Sequence, residues 1–201
     1  MKQIGVTGTI GSGKSFVCSI FSDCFGIPVF DSDSEAKACY SDDRIKEAVR
    51  RNFGERICPP DGEVDLRLLS QTVFSDPAAL ERLNGIVHPA VIERYRKWLL
   101  QQEGVPYTLF ESAIIYSCHL EKMFDAVIRV RCPETLAIAR VKARNGWDEE
   151  TIRSRLRLQE DGVGREAGFL ILHDSRLPLE ESRRKLLPQI QEIHRRIIST
   201  V

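Results

Sequence analysis

Between positions 8 and 15 the chain reads Gly-Thr-Ile-Gly-Ser-Gly-Lys-Ser. The spacing Gly-x-x-x-x-Gly-Lys-Ser is that of a loop wrapped around a polyphosphate, a P-loop. Backbone N–H groups must converge on the phosphate oxygens, so the loop has to bend tightly with no side chain in the way, and glycine allows both. A helix starting near Gly13 adds its positive N-terminal end to the same anion site. Lys14 then reaches the β- and γ-phosphates, and the Ser15 hydroxyl is placed to ligate Mg²⁺. The ATP-phosphate site is assigned to Gly8, Gly11, Ser12, Gly13, Lys14, Ser15 and Phe16. A chance glycine-rich turn is the plain alternative, but the flanks argue against it. Ile4 and Val6 read as a short buried strand, and Phe16, Val17, Ile20 and Phe21 follow at helical spacing.

The rest of the chain extends this start into an α/β fold. Short apolar stretches at 2–7, 27–30, 107–111, 126–132 and 169–172 read as strands, with helical patterns between them. This alternation predicts a P-loop NTPase-type parallel sheet with helices on both faces. The interval 34–103 holds no convincing strand. Its stripes (Ile45 and Val49; Leu66, Leu69 and Val73; Leu80, Leu83 and Val87) predict an inserted, helical acceptor-binding subdomain. The final helix carries Leu186, Ile190, Ile193 and Ile197 as its core stripe.

Composition excludes several classes. In 201 residues, 29 basic side chains balance 29 acidic ones, which argues against broad electrostatic binding to nucleic acid or an anionic membrane. No apolar run is long enough to span a bilayer, and the first strand follows Met1 so closely that a cleaved leader would remove part of the fold. Six cysteines at 18, 24, 39, 58, 118 and 132 form no Cys-x-x-Cys pair. They read as reduced thiols of a cytoplasmic protein rather than as zinc ligands or disulfides.

A second clue is Val29-Phe30-Asp31-Ser32-Asp33-Ser34-Glu35-Ala36-Lys37, at the end of the second predicted strand. Ligands in open α/β sheets gather at the carboxyl ends of strands. Two carboxylates there can divide the work, one organising Mg²⁺ and the other accepting a proton from an attacking hydroxyl. Aspartates also cap helices, and one residue can do both.

With these residues in view the chain resembles the dephospho-CoA kinase family over nearly its full length. The loop at 8–15 stands where that family has Gly-Ile-Gly-Ser-Gly-Lys, and Asp31-Ser32-Asp33 where it has Asp-Ala-Asp. Leu83-Asn84 and His88-Pro89 match its Leu-Asn…His-Pro stretch, and Cys132-Pro133-Glu134-Thr135 leads to Arg140 as in the family. Residues 144–159 resemble its lid, with Gln159 at its glutamine. The chain departs at Thr9, at Phe16, at Ser112–Tyr116, and at Leu172-His173-Asp174, where the family has Asp-Asn.

The resemblance implies one kinase domain over 1–201, with a core of about 1–33, 104–143 and 169–201, an insertion of about 34–103 and a lid of about 144–168. It implies transfer of the ATP γ-phosphoryl group to the ribose 3′-hydroxyl of dephospho-CoA, with Mg²⁺ as cofactor. Lys14 and Arg140 serve the transferred group, with Arg144 on the ATP phosphates; surface salt bridges are the alternative for the arginines. Asp33 is the base beside the acceptor, and Asp31 and Ser15 organise the metal. His88 is placed in the acceptor site, or else His-Pro marks a boundary between two helices with Pro89 at the first helical position. Glu111, ending the third strand, reads equally as a support for Mg²⁺ or as a surface carboxylate. The alternatives are another small-molecule kinase acting on a nucleoside or nucleotide, and a non-enzymatic nucleotide switch. The guanine-specifying Asn-Lys-x-Asp of a switch does not occur in the chain. Oligomeric state has no signature in the sequence.

Overall fold

A computed structural model of the chain describes residues 1–159, 168–174 and 176–199. Residues 160–167 of the expected lid lie outside the described residues. The chain divides into two compact units, 1–30 with 104–201 and 31–103.

The first unit is built on a five-stranded sheet in the order β2-β3-β1-β4-β5. Its strands are β1 (Lys2–Thr7), β2 (Val29–Asp31), β3 (Tyr107–Glu111), β4 (Ala126–Arg131) and β5 (Phe169–Leu172). β1 runs parallel to both β3 and β4, and β4 runs parallel to β5. The register sets Val6 beside Glu111 and Thr7 beside Arg129, so the chain leaves β1 where β3 and β4 also end. Two strands differ from expectation by a residue or two, β2 running 29–31 rather than 27–30 and β4 ending one residue early, and each lies beside a proline. Pro28 lends the sheet only its carbonyl, which accepts from Leu109 N at 2.9 Å, and β4 stops at Arg131, just short of Cys132-Pro133.

Side chains alternate across β1. Ile4 and Val6 join a core with Val17, Ile20 and Phe21 of α1 (Lys14–Phe25). The predicted stripe Leu186, Ile190, Ile193 and Ile197 of the last helix, α8 (Leu179–Ser199), closes the same core. Gly5 turns to the opposite face, where Ile115 and Phe124 approach so closely that a β-carbon would lie 2.9 Å from each. Beyond β4, α6 (Glu134–Asn145) and α7 (Glu149–Gln159) share a smaller core of Ala137, Ile138, Val141, Ile152 and Leu156. Ile10 of the glycine loop and Trp147 pack against it.

The second unit is helical, as its periodicity predicts: α2 (Ser32–Cys39), α3 (Asp43–Phe53), α4 (Leu66–Ser75) and α5 (Pro77–Leu99). An aspartate caps each one, Asp31, Asp42, Asp65 and Asp76 in turn, its carboxylate accepting first-turn N–H groups. Val49, Leu69, Val73, Leu83 and Val87 are buried. Leu66 is exposed instead, because the cap at Asp65 makes it the first helical residue and turns it outward. His88-Pro89 marks no helix boundary, since α5 runs through it without a break. The helix carries this proline without the hydrogen bond that an N–H at position 89 would make to the Gly85 carbonyl.

Candidate active site

The glycine loop leaves β1 and enters α1 through Gly13, whose φ of 95° and ψ of 22° put it in left-handed space. A side chain is excluded there twice over. The backbone disfavours one, and a β-carbon would lie 2.1 Å from His173 Nδ1. Gly8 and Gly11 close the loop against the carbonyls of Val130 and Ala137. Ser12 N donates to Thr9 O at 3.0 Å, and Lys14 Nζ donates to the same carbonyl at 3.4 Å. Lys14 and Ser12 are buried, while Ser15 is exposed in the first turn of α1.

Ser15 Oγ donates to Glu111 Oε1 at 2.6 Å. Glu111 is buried, which removes the surface-carboxylate reading. The register of β3 on β1 brings it here, because pairing with Val6 ends β3 beside the start of the loop. A hydroxyl and a carboxylate are the hard oxygen donors that Mg²⁺ takes. Among the described residues no three His, Cys, Asp or Glu side chains gather around one point. A site with so few protein donors suits an ion that draws its other ligands from water and substrate phosphates.

On the carbonyl side of the loop stands Arg140 of α6. Its Nη1 donates to Gly11 O at 3.2 Å and to Ser12 O at 3.3 Å, and its Nη2 pairs with His173 Nε2 at 3.0 Å. His173, directly after β5, is only 5% exposed and stacks on Phe16 with ring centroids 5.5 Å apart. Burial pushes its pKa down to about 4, with the Arg140 charge adding to the effect and the Ser12 carbonyl and Asp174 opposing it. A neutral ring that accepts from Arg140 at Nε2 carries its proton on Nδ1. Nδ1 is buried and makes no hydrogen bond of normal geometry, and the same is true of Ser12 Oγ. α7 reaches the loop too, where Ile10 N donates to Gln159 Oε1 at 2.7 Å.

The structure therefore brings together Gly8, Gly11, Ser12, Gly13, Lys14, Ser15, Phe16 and Arg140. Arg144 stands apart, exposed in the last turn of α6 with its Nε on Asn145 Oδ1 at 2.8 Å. The pattern of residues did not select His173. Its signal was position, immediately after a strand end in a parallel sheet, together with the departure at 172–174.

In the helical unit, Asp31 Oδ1 accepts from the N–H groups of Asp33 and Ser34 at 3.0 and 3.1 Å, and Oδ2 accepts from Ser34 Oγ at 2.6 Å. Capping is thus a role that Asp31 fills. Asp33 is exposed in the first turn of α2. His88 is half-buried in α5, and burial lowers its pKa.

This arrangement has counterparts among known proteins. The family model described as Dephospho-CoA kinase matches residues 2–175. A dephospho-CoA kinase of Porphyromonas gingivalis is 36% identical over 204 residues, covering 100% of this chain and 95% of that one. One of Thermobifida fusca is 32% identical over 200 residues, covering 99% and 100%. The crystal structure of TT1252 from Thermus thermophilus superposes with a TM-score of 0.77 at 30% identity, covering 96% of this chain and 97% of that one.

Proposed function

Because the chain belongs to the dephospho-CoA kinase family, we propose that it transfers the γ-phosphoryl group of ATP to the ribose 3′-hydroxyl of dephospho-CoA, forming coenzyme A and ADP. The match over residues 2–175 is the observation that carries the acceptor. The loop carries the donor.

In this reading the loop amides and Lys14 hold the β- and γ-phosphates, fixing the donor for in-line attack. Ser15 and Glu111, with Asp31, would hold Mg²⁺, which supplies positive charge to the phosphate oxygens when bound. The 2.6 Å bond between Ser15 and Glu111 supports that assignment, because it aims two oxygen donors from one place. Asp33 accepts the proton of the 3′-hydroxyl as the oxygen–phosphorus bond forms, and the bond from the γ-phosphorus to the bridging oxygen breaks to release ADP. The exposure of Asp33 suits a carboxylate that must meet a substrate. His88 is assigned to the acceptor.

Arg140 acts on the transferred group through the loop as well as by its charge. It donates to the carbonyl of the Ser12–Gly13 peptide, whose N–H points the other way in a trans amide. Polarising that carbonyl makes the Gly13 N–H a stronger donor to an anion. Arg144, whose Nε is held by Asn145 Oδ1, is assigned to the ATP phosphates. We place the enzyme in the cytoplasm, where ATP is available and six free thiols persist.

Coupled ADP release from the purified chain, with dephospho-CoA beside a panel of nucleosides and nucleoside monophosphates, tests the reading. Turnover selective for dephospho-CoA is expected. Preference for a nucleoside or nucleotide would transfer the chain to another kinase class, and no turnover with any acceptor would point to a nucleotide-binding switch.

A further inference from the structure

His173 is a buried histidine that the phosphoryl-transfer scheme does not use, yet it touches three parts of the loop's support. Its Nε2 takes a hydrogen from Arg140 Nη2 at 3.0 Å. Its ring lies against Phe16 in the first turn of α1. Its Nδ1 edge occupies the space where a Gly13 side chain would be. Without an acceptor at Nε2, the guanidinium would lose the contact that turns Nη1 toward the Gly11 and Ser12 carbonyls. The Ser12–Gly13 peptide is then held from two directions, by Arg140 on its oxygen and by the imidazole beside the Gly13 α-carbon.

We propose that His173 is a positioning residue for donor binding: it holds Arg140 on the Ser12–Gly13 peptide and so presets the amide that the loop offers to nucleotide phosphate. The inference rests on the reading of the loop as the ATP site. It does not depend on which acceptor the enzyme uses. The chemistry asked of position 173 is narrow, namely a hydrogen-bond acceptor at the reach of Nε2 on a flat, neutral group. Glutamine meets that requirement, because its Oε1 extends about as far as Nε2. Leucine fills similar space and accepts nothing.

The test compares ADP affinity, by equilibrium titration, for the wild type, His173→Leu, His173→Gln, Arg140→Ala and the Arg140→Ala/His173→Leu pair. Thermal melting without nucleotide checks that each variant folds. Hydrogen bonds to charged groups are worth enough that His173→Leu should weaken ADP binding about tenfold or more. His173→Gln should recover most of that loss. The double variant should bind no worse than Arg140→Ala, because the histidine acts through the arginine. Unchanged affinity in His173→Leu, equal losses for Leu and Gln, or additive losses in the double variant would each overturn the proposal. Wild-type turnover with dephospho-CoA is measured alongside. ADP binding without that turnover would defeat the acceptor assignment and leave the test of His173 intact.

Discussion

Replacing Gly13 by alanine tests the packing at the head of α1 through stability alone. At φ 95° an L-residue is strained, at a cost of about 1–2 kcal/mol. The new β-carbon would also sit 2.1 Å from His173 Nδ1 and 2.7 Å from Cε1. The ring has little room to retreat, being 5% exposed, stacked on Phe16 and bonded to Arg140. Overpacking of this kind adds about 1–3 kcal/mol, for a total of about 2–5 kcal/mol. Gly26 supplies the control, because it caps the other end of α1 at φ 64° and has nothing within 4 Å of its β-carbon position. Gly26→Ala should lose only the backbone part, about 1–2 kcal/mol. His173→Ala placed in the Gly13→Ala background should return the collision part, giving a coupling of about 1–3 kcal/mol in the double-mutant cycle. Urea unfolding without nucleotide reads all of these from the midpoint at constant slope. The reasoning fails if Gly13→Ala is no less stable than Gly26→Ala, or if the cycle is additive to within about 0.5 kcal/mol.

Three further outcomes are expected. Lys14→Ala should lower turnover by at least about two to three orders of magnitude while its melting temperature stays near the wild-type value, because the lysine supplies charge to the transferred group; near-native turnover would remove the loop from catalysis. In a Mg²⁺ titration at saturating substrates, Asp33→Asn should stay about two to four orders of magnitude below wild type at every concentration. Asp31→Asn, which still offers an oxygen to cap α2, should recover part of its rate at high Mg²⁺, and the opposite pattern would exchange the two roles. Acid should destabilise the fold through His173, whose pKa of about 4 lies below the 6.5 of a free histidine. Between those values the unfolded chain binds the proton that the folded chain refuses, so stability is full above about pH 6.5 and falls as the pH drops toward about 4, by roughly 3 kcal/mol. From pH 7 to 4.5 the unfolding free energy of the wild type should fall by about 2–3 kcal/mol relative to that of His173→Gln, and parallel curves would show that His173 does not titrate in this window.

What could be read before the structure was what the chain encodes locally. The P-loop was legible because its chemistry is done by backbone, and backbone geometry at close quarters selects glycine at set intervals. The strands and the helices of residues 34–103 were legible because burial imposes a period, as Val49, Leu69, Val73, Leu83 and Val87 show. Local rules did not decide every position. His88-Pro89 reads either as part of the acceptor site or as a helix boundary, yet α5 continues through it. Leu66 reads as core by period, but a helix's first residue answers to its cap.

Glu111 and His173 illustrate a different limit: residue order alone left Glu111 open between a support for Mg²⁺ and a surface carboxylate, and did not select His173 at all. Neither carries a periodic or spacing signal, since each lies at or just after a strand end about a hundred residues or more from the loop. What unites them with the loop is the order β2-β3-β1-β4-β5, which places β1 between β3 and β4 and sets β5 beside β4. Parallel pairing then brings the ends of these strands to one edge. Given that order, Glu111 falls beside Val6 and becomes the partner of Ser15. His173, whose N–H bonds to Arg131 O at 2.8 Å, is carried to the back of Gly13. A motif can announce that phosphate binds, but the residues that brace it are selected by strand order. They are found by asking which side chains follow the last residue of each neighbouring strand.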